Sequence, residues 1–190
     1  MRHREGALLG TALVLLAGCS SSPVLLSEDD VTDVTVAEQN TDLAIAPGWT
    51  FCDEISPNVY LRAPVVGTWF ELADGSTVGA TVLDRRADGL SADLVLEQLE
   101  AAADQCALES ETYPGSGQTI EPLDDLDDSA LGWRTQTADG TWGEYVVLPL
   151  DESRVLAVGF TTEQDDPPVE LSELVDLAAA GAERFPADQG

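Results

Sequence analysis

Three runs of strand-like sequence, Leu131 to Thr137, Thr141 to Leu148 and Arg154 to Thr162, follow one another with only Ala138-Asp139-Gly140 and, after Pro149-Leu150, Asp151-Glu152-Ser153 between them. Turns so short and polar join neighbouring antiparallel strands, so the three runs predict a meander around which the rest of the chain must be arranged. Upstream, Gly67 to Leu72 and Thr77 to Arg85 flank Ala73-Asp74-Gly75-Ser76, which predicts a hairpin. In the last strand of the meander Leu156, Val158 and Phe160 share one face, and Val155, Ala157 and Gly159 the other, because side chains alternate with a period of two. The bulkier face is the one expected to lie under helices.

One helix is expected from an N-cap at Ser91 to about Cys106, with Leu96, Leu99, Ala103 and Cys106 on its apolar stripe. A second is expected from Pro168 to Phe185, with Leu171, Leu174, Ala178 and Phe185 inward and Pro186 ending it. Paired strands with helices grouped beside them define an α+β class, an antiparallel β-sheet with two main helices packed on one face.

The N-terminus carries a different kind of information. Arg2, His3 and Arg4 precede an apolar run from Ala7 to Ala17, and Leu16-Ala17-Gly18-Cys19 closes it. Such a run is shorter than the roughly 20 apolar residues that a membrane-spanning helix needs, and its charged start and small-residue end are those of a secretory signal. The last four residues resemble a lipobox, which implies cleavage before Cys19 and a diacylglyceryl group on its sulfur. Two acyl chains anchor stably where one is marginal. The expected organisation is a signal peptide over 1–18, a lipid anchor and acidic flexible tether over 19–46, and a single domain over 47–187. Within the tether, Ser27 followed by Glu28, Asp29 and Asp30 suits the start of a short helix.

Charge narrows the partners. The chain has 36 acidic and 8 basic residues, a net charge of −28, and all the basic residues are arginine. Removal of the leader takes Arg2, Arg4 and Glu5, leaving 35 acids against 6 arginines and a net charge of −29. Nucleic acid and anionic headgroups are repelled by such a field, so membrane association rests on the lipid of Cys19. The only histidine is His3, inside the leader, and there is no lysine. Histidine-based triads, histidine metal sites, haem ligation and Schiff-base chemistry are thereby excluded from the mature chain, which is read as a non-enzyme without cofactor or metal. Cys52 and Cys106 remain after Cys19 is assigned to the anchor. An even pair in an oxidising compartment is expected to form a disulfide.

The order of parts resembles a known family. Leu25-Leu26-Ser27-Glu28-Asp29-Asp30 after the tether, a cysteine at 52, a hairpin, a helix ending in Cys106, a meander and a terminal alanine-rich helix look like the actinobacterial extracytoplasmic sensor-type domains. These occur as lipoproteins and as the outer domain of PknH-type receptor kinases. The kinase-linked members carry a second disulfide, for which this chain lacks the cysteines. The resemblance implies a ligand- or partner-binding domain.

Four features are candidate sites. Pro114-Gly115-Ser116-Gly117 is a loop, with no base available to activate Ser116. Asp124, Asp125, Asp127 and Asp128 form the densest acidic cluster, without the spacing of an EF-hand. Arg85 and Arg86 are an adjacent pair able to hold a carboxylate or phosphate. Trp142 and Tyr145, with Trp49, Trp69 and Trp133, offer a stacking surface, and as Trp142 and Tyr145 fall on opposite faces of one strand, one of them is expected away from the helices. The leading reading is a membrane-tethered, non-enzymatic binding domain that meets an envelope ligand or protein through the sheet face its helices leave open. A lipid or glycolipid carrier with an apolar cavity is the second, and a carboxylate hydrolase the third.

Overall fold

The computed structural model describes residues 25–40, 65–84, 89–112, 118–124 and 126–184. A single 3-10 turn (Glu28–Asp30) leads into β1 (Val34–Asn40), β2 (Val65–Leu72), β3 (Thr77–Asp84) and α1 (Ala92–Thr112). Then follow β4 (Gln118–Pro122), β5 (Leu131–Thr137), β6 (Trp142–Pro149), β7 (Arg154–Thr162) and α2 (Leu171–Arg184). All the strands pair antiparallel in one seven-stranded sheet of order β1-β2-β3-β7-β6-β5-β4. The predicted hairpin is β2 and β3, and the predicted meander is β5, β6 and β7. They join edge to edge along β3 and β7, where Val78 faces Phe160 and Ala80 faces Val158.

The α+β class and the antiparallel sheet hold; the placement of both helices on one face does not. Helix α2, through Leu174, Leu177 and Ala178, packs with Val78, Ala80 and Val82 of β3, Leu156, Val158 and Phe160 of β7, and Val146 of β6. Helix α1, through Val95, Leu99, Ala103 and Cys106, packs with Val155 and Ala157 of β7, Tyr145 and Val147 of β6, and Trp133 of β5. These are the alternate residues of the same strands, so the helices lie on opposite faces. The physical reason is written in β7, which is apolar on both sides, the pattern of a strand buried in the middle of three layers. Its small-residue face is filled by neighbours: a Cβ added to Gly159 would stand 2.2 Å from Tyr145 Cδ1, so the edge of the tyrosine ring occupies the space beside that glycine.

The segment from Leu25 to Asn40, expected within the tether, is packed against the sheet. Leu25, Leu26 and Val31 are buried in the cluster beneath α2, and β1 extends the sheet along β2. The Ser27 amide and hydroxyl both donate to Asp30 Oδ2 at 2.7 and 2.9 Å, and the Asp30 amide donates to the Ser27 carbonyl at 3.0 Å, which closes the turn. Residues 25–40 are therefore part of the fold, because two fully buried leucines contribute on the order of 2 kcal/mol each and hold the segment down.

Helix α1 begins where Ser91 Oγ accepts from the Leu94 amide at 3.2 Å, as its N-cap role requires. Its buried stripe runs through Val95, with Leu96 half-buried. Helix α2 starts at Leu171, later than Pro168, and its Phe185 end lies outside the described residues. No helix among the described residues is long and apolar enough to cross a membrane.

Candidate functional site

Helix α2 rides over β6 and β7 and leaves the outer part of its face uncovered. On that strip the register sets Thr119 beside Gln136 and Glu121 beside Arg134, all four exposed, and then Gln136 beside Trp142 and Arg134 beside Glu144. The chain leaving β7 toward α2 walls the strip on one side. Between them is an open cleft of about 420 Å³ lined by Arg134, Gln136, Gly140, Trp142, Glu163, Gln164, Asp165 and Pro167. Its size is that of small-ligand sites.

The centre of the cleft is fixed by a short stack of side chains. Trp142 meets Phe160 edge to face, with ring centroids 5.2 Å apart and planes at 83°. Its indole N–H donates to the Gln164 carbonyl at 2.7 Å, which pins the ring to the cleft wall. The Arg134 guanidinium lies over the same ring, 5.5 Å from its centroid, a cation–π contact. Arg134 is held there by Glu144, whose Oε1 accepts from both Nε, at 2.9 Å, and Nη2. The arginine side chain is 53 % exposed and the glutamate only 4 %. A buried carboxylate thus anchors an exposed cation.

The turn that closes β5 onto β6 makes this alignment. Gly140 takes a positive φ of 99°, where an L side chain is strained, and Asp139 Oδ1 accepts from the Thr141 amide. The Thr137 hydroxyl beside Asp139 holds its carboxyl below the usual carboxylate range, with the Thr141 amide adding to the effect. Arg134 and Glu144 stand five residues either side of Asp139, as Gln136 and Trp142 stand three. That symmetry was available in the sequence, yet reading by residue type singled out Trp142 and passed over Arg134, Glu144, Gln136 and Gln164.

The other expected site residues separate. Tyr145 is not a surface group: it is 2 % exposed on the α1 face, and burial pushes its phenol well above the usual range, against a hydrogen bond with Thr135. With both faces of the sheet carrying a helix, the expectation that one of the two aromatics lies free of helix cover is met only by the position of Trp142, at the rim. Cys19, Cys52, Arg85, Arg86, Trp49 and Ser116 lie outside the described residues. Cys106 is fully buried against the sheet. Asp124, Asp127 and Asp128 are exposed, and no group of acids and cysteines among the described residues has the arrangement of a metal site.

A second open groove, about 330 Å³, lies between the 3-10 turn and α2 and is lined by Val31, Val169 and Leu177 with Asp30, Glu173 and Asp176.

No family model matches the chain, and no curated protein sequence matches it. Among solved structures, the extracellular domain of PknH from Mycobacterium tuberculosis is similar at a TM-score of 0.40 and 11 % identity, over 78 % of this chain and 80 % of that one. A likeness of that size assigns neither family nor function.

Proposed function

We propose that the protein is a non-enzymatic binding domain of the cell envelope, held on the outer face of the membrane by lipid on Cys19, with its ligand site in the Arg134–Trp142 cleft. The observation that carries the site is the Arg134 guanidinium, stacked on Trp142, tied to buried Glu144 and still half open to solvent. An exposed arginine normally loses side-chain entropy when held in one place. Here a buried carboxylate and an aromatic ring fix it in advance, which is how binding sites lower the cost of engaging a ligand. The anchor rests on the leader sequence alone, and the Cys52–Cys106 pairing on the even cysteine count in an exported chain.

The carrier reading gains nothing from these grooves. Both are open, and both are edged with carboxylates where a lipid chain needs an enclosed apolar space.

Native mass spectrometry of the full chain expressed in a bacterial envelope tests both parts. A diacylated Cys19 on the N-terminal peptide supports the anchor, and an unmodified N-terminus overturns it. A mass adduct that is present on the unaltered protein and absent from Trp142→Ala supports the cleft; an adduct retained by Trp142→Ala and by Gln136→Ala places the ligand elsewhere.

A further inference from the structure

We infer that the cleft takes a neutral, polyhydroxylated ligand, a saccharide, an inference that rests on the cleft being the binding site. Charge comes first. Arg134 is offset by Glu144, and the remaining ionisable lining residues are Glu163 and Asp165, so the cleft presents no net positive charge. An anionic ligand meets repulsion there, in a chain that is already strongly acidic.

Unused hydrogen-bonding groups come second. Glu144 takes Nε and Nη2 of Arg134, which leaves Nη1 with two N–H donors and no acceptor among the described residues. Gln136 makes no side-chain hydrogen bond there, and Gln164 spends its Nε2 on the Asp74 carbonyl at 3.1 Å, leaving its amide oxygen. Glu163 and Asp165 add carboxylate acceptors. Donors and acceptors therefore share the lining of one small space, and a hydroxyl is the group that serves both.

The aromatic comes third. Trp142 is half-buried and held by Phe160 and Gln164, so its indole offers apolar surface at fixed position beside those polar groups. Sugars carry both kinds of surface, C–H on their faces and hydroxyls on their edges. A cation would satisfy Glu163 and Asp165 but would meet the Arg134 guanidinium.

The test is isothermal titration of the lipidated full chain, solubilised in a detergent without a sugar headgroup. The probes are maltotriose, mannotriose and triacetylchitotriose, with citrate as the anionic control and spermidine as the cationic one. At least one trisaccharide is expected to bind below about 10 mM, and its Kd to rise about tenfold or more in both Trp142→Ala and Gln136→Ala. The second variant removes an exposed side chain from a strand surface, so it keeps the test valid if the first weakens the fold. Citrate or spermidine binding with the same sensitivity, and no trisaccharide binding, overturns the saccharide inference and leaves the cleft. Trisaccharide binding unmoved by either variant overturns the cleft itself. No binding by any probe overturns both.

Discussion

Two arginine–carboxylate pairs hold the second half of the sheet, and they are built in opposite senses. At the β6–β7 turn Arg154 is the buried partner, 3 % exposed, and Asp151 lies nearer the surface at 19 %. Asp151 Oδ1 accepts the amides of Ser153 and Arg154 at 2.9 Å each, and its Oδ2 accepts Arg154 Nε at 2.7 Å. Both oxygens of that carboxylate are in use, and the pair is closed. In the Arg134–Glu144 pair the acid is the buried member, one oxygen does all the accepting, and the cation faces a cleft. A closed pair shapes a turn; an open one keeps groups in reserve. On the proposed reading, the difference separates stability from recognition within one meander.

The strand that presents the open pair is the place to break this arrangement most severely. Gly143 sits between Trp142 and Glu144, and a Cβ there would stand 2.1 Å from the Phe160 carbonyl oxygen. A backbone atom of a central strand cannot swing aside as a side chain can. Gly143→Ala is expected to cost about 3 kcal/mol or more, read from urea denaturation, and to weaken binding at the cleft. A stable Gly143→Ala protein would mean that β6 and β7 are not paired as described.

The contrast itself is tested by substitutions whose effects should cross. Asp151→Ala strips a nearly buried guanidinium of its carboxylate and removes a turn cap, at an expected cost of about 3 kcal/mol, with ligand affinity unchanged in the folded protein. Replacing the open pair entirely, Arg134→Leu with Glu144→Leu, leaves no stranded charge and is expected to change stability by less than about 1 kcal/mol. The same double variant should lose binding altogether. If both sets of substitutions fall together in stability and binding, the open pair is merely structural.

Much of the fold was legible because it rests on local pattern. Gly75 and Gly140, both at positive φ, mark two turns that the sequence announces through Asp-Gly, and the strands on either side follow. What could not be read was cover. Val155, Ala157 and Gly159 look like an exposed face until the Tyr145 ring beside Gly159 is known, because small residues lining a sheet are vacant or filled according to a neighbouring strand. Strand β1 was missed for a related reason: Val34-Thr-Val-Ala-Glu alternates, but lies in acid-rich sequence, and only pairing with β2 fixes it as an edge strand. The site divided in the same way. An aromatic at the rim was visible by residue type, whereas Arg134 and Glu144 acquire meaning only from their register across the Asp139 turn.

Tyr145 supplies a smaller test, at the α1 face behind the cleft. Its phenol hydrogen-bonds with Thr135 in a site that excludes water, so Tyr145→Phe is expected to cost about 1 kcal/mol and to leave ligand affinity unchanged. A variant that loses affinity at unaltered stability would return Tyr145 to the list of binding residues and tie the two faces of β6 together.

The smallest effect is expected in the acid limb of the stability profile, and it sharpens what closure means. Burial pushes the Asp151 carboxyl upward, but the Ser153 amide and the Arg154 side chain and amide outweigh it, so its pKa lies below the ordinary value. A carboxylate with a depressed folded pKa contributes stability that is complete above its unfolded value, near pH 4, and that is lost as pH falls through the lower folded value. Asp74, held down chiefly by the Ser76 amide, and Asp139 act in the same direction, so the limb is shared among three turns. Asp151→Asn should therefore make the profile below about pH 4 shallower without making it flat, measured as urea midpoints between pH 2.5 and 6 in steps of about half a unit. An unchanged slope would mean that Asp151 is no better satisfied in the fold than in the unfolded chain, and the closed pair would then differ from the open one only in which partner is buried.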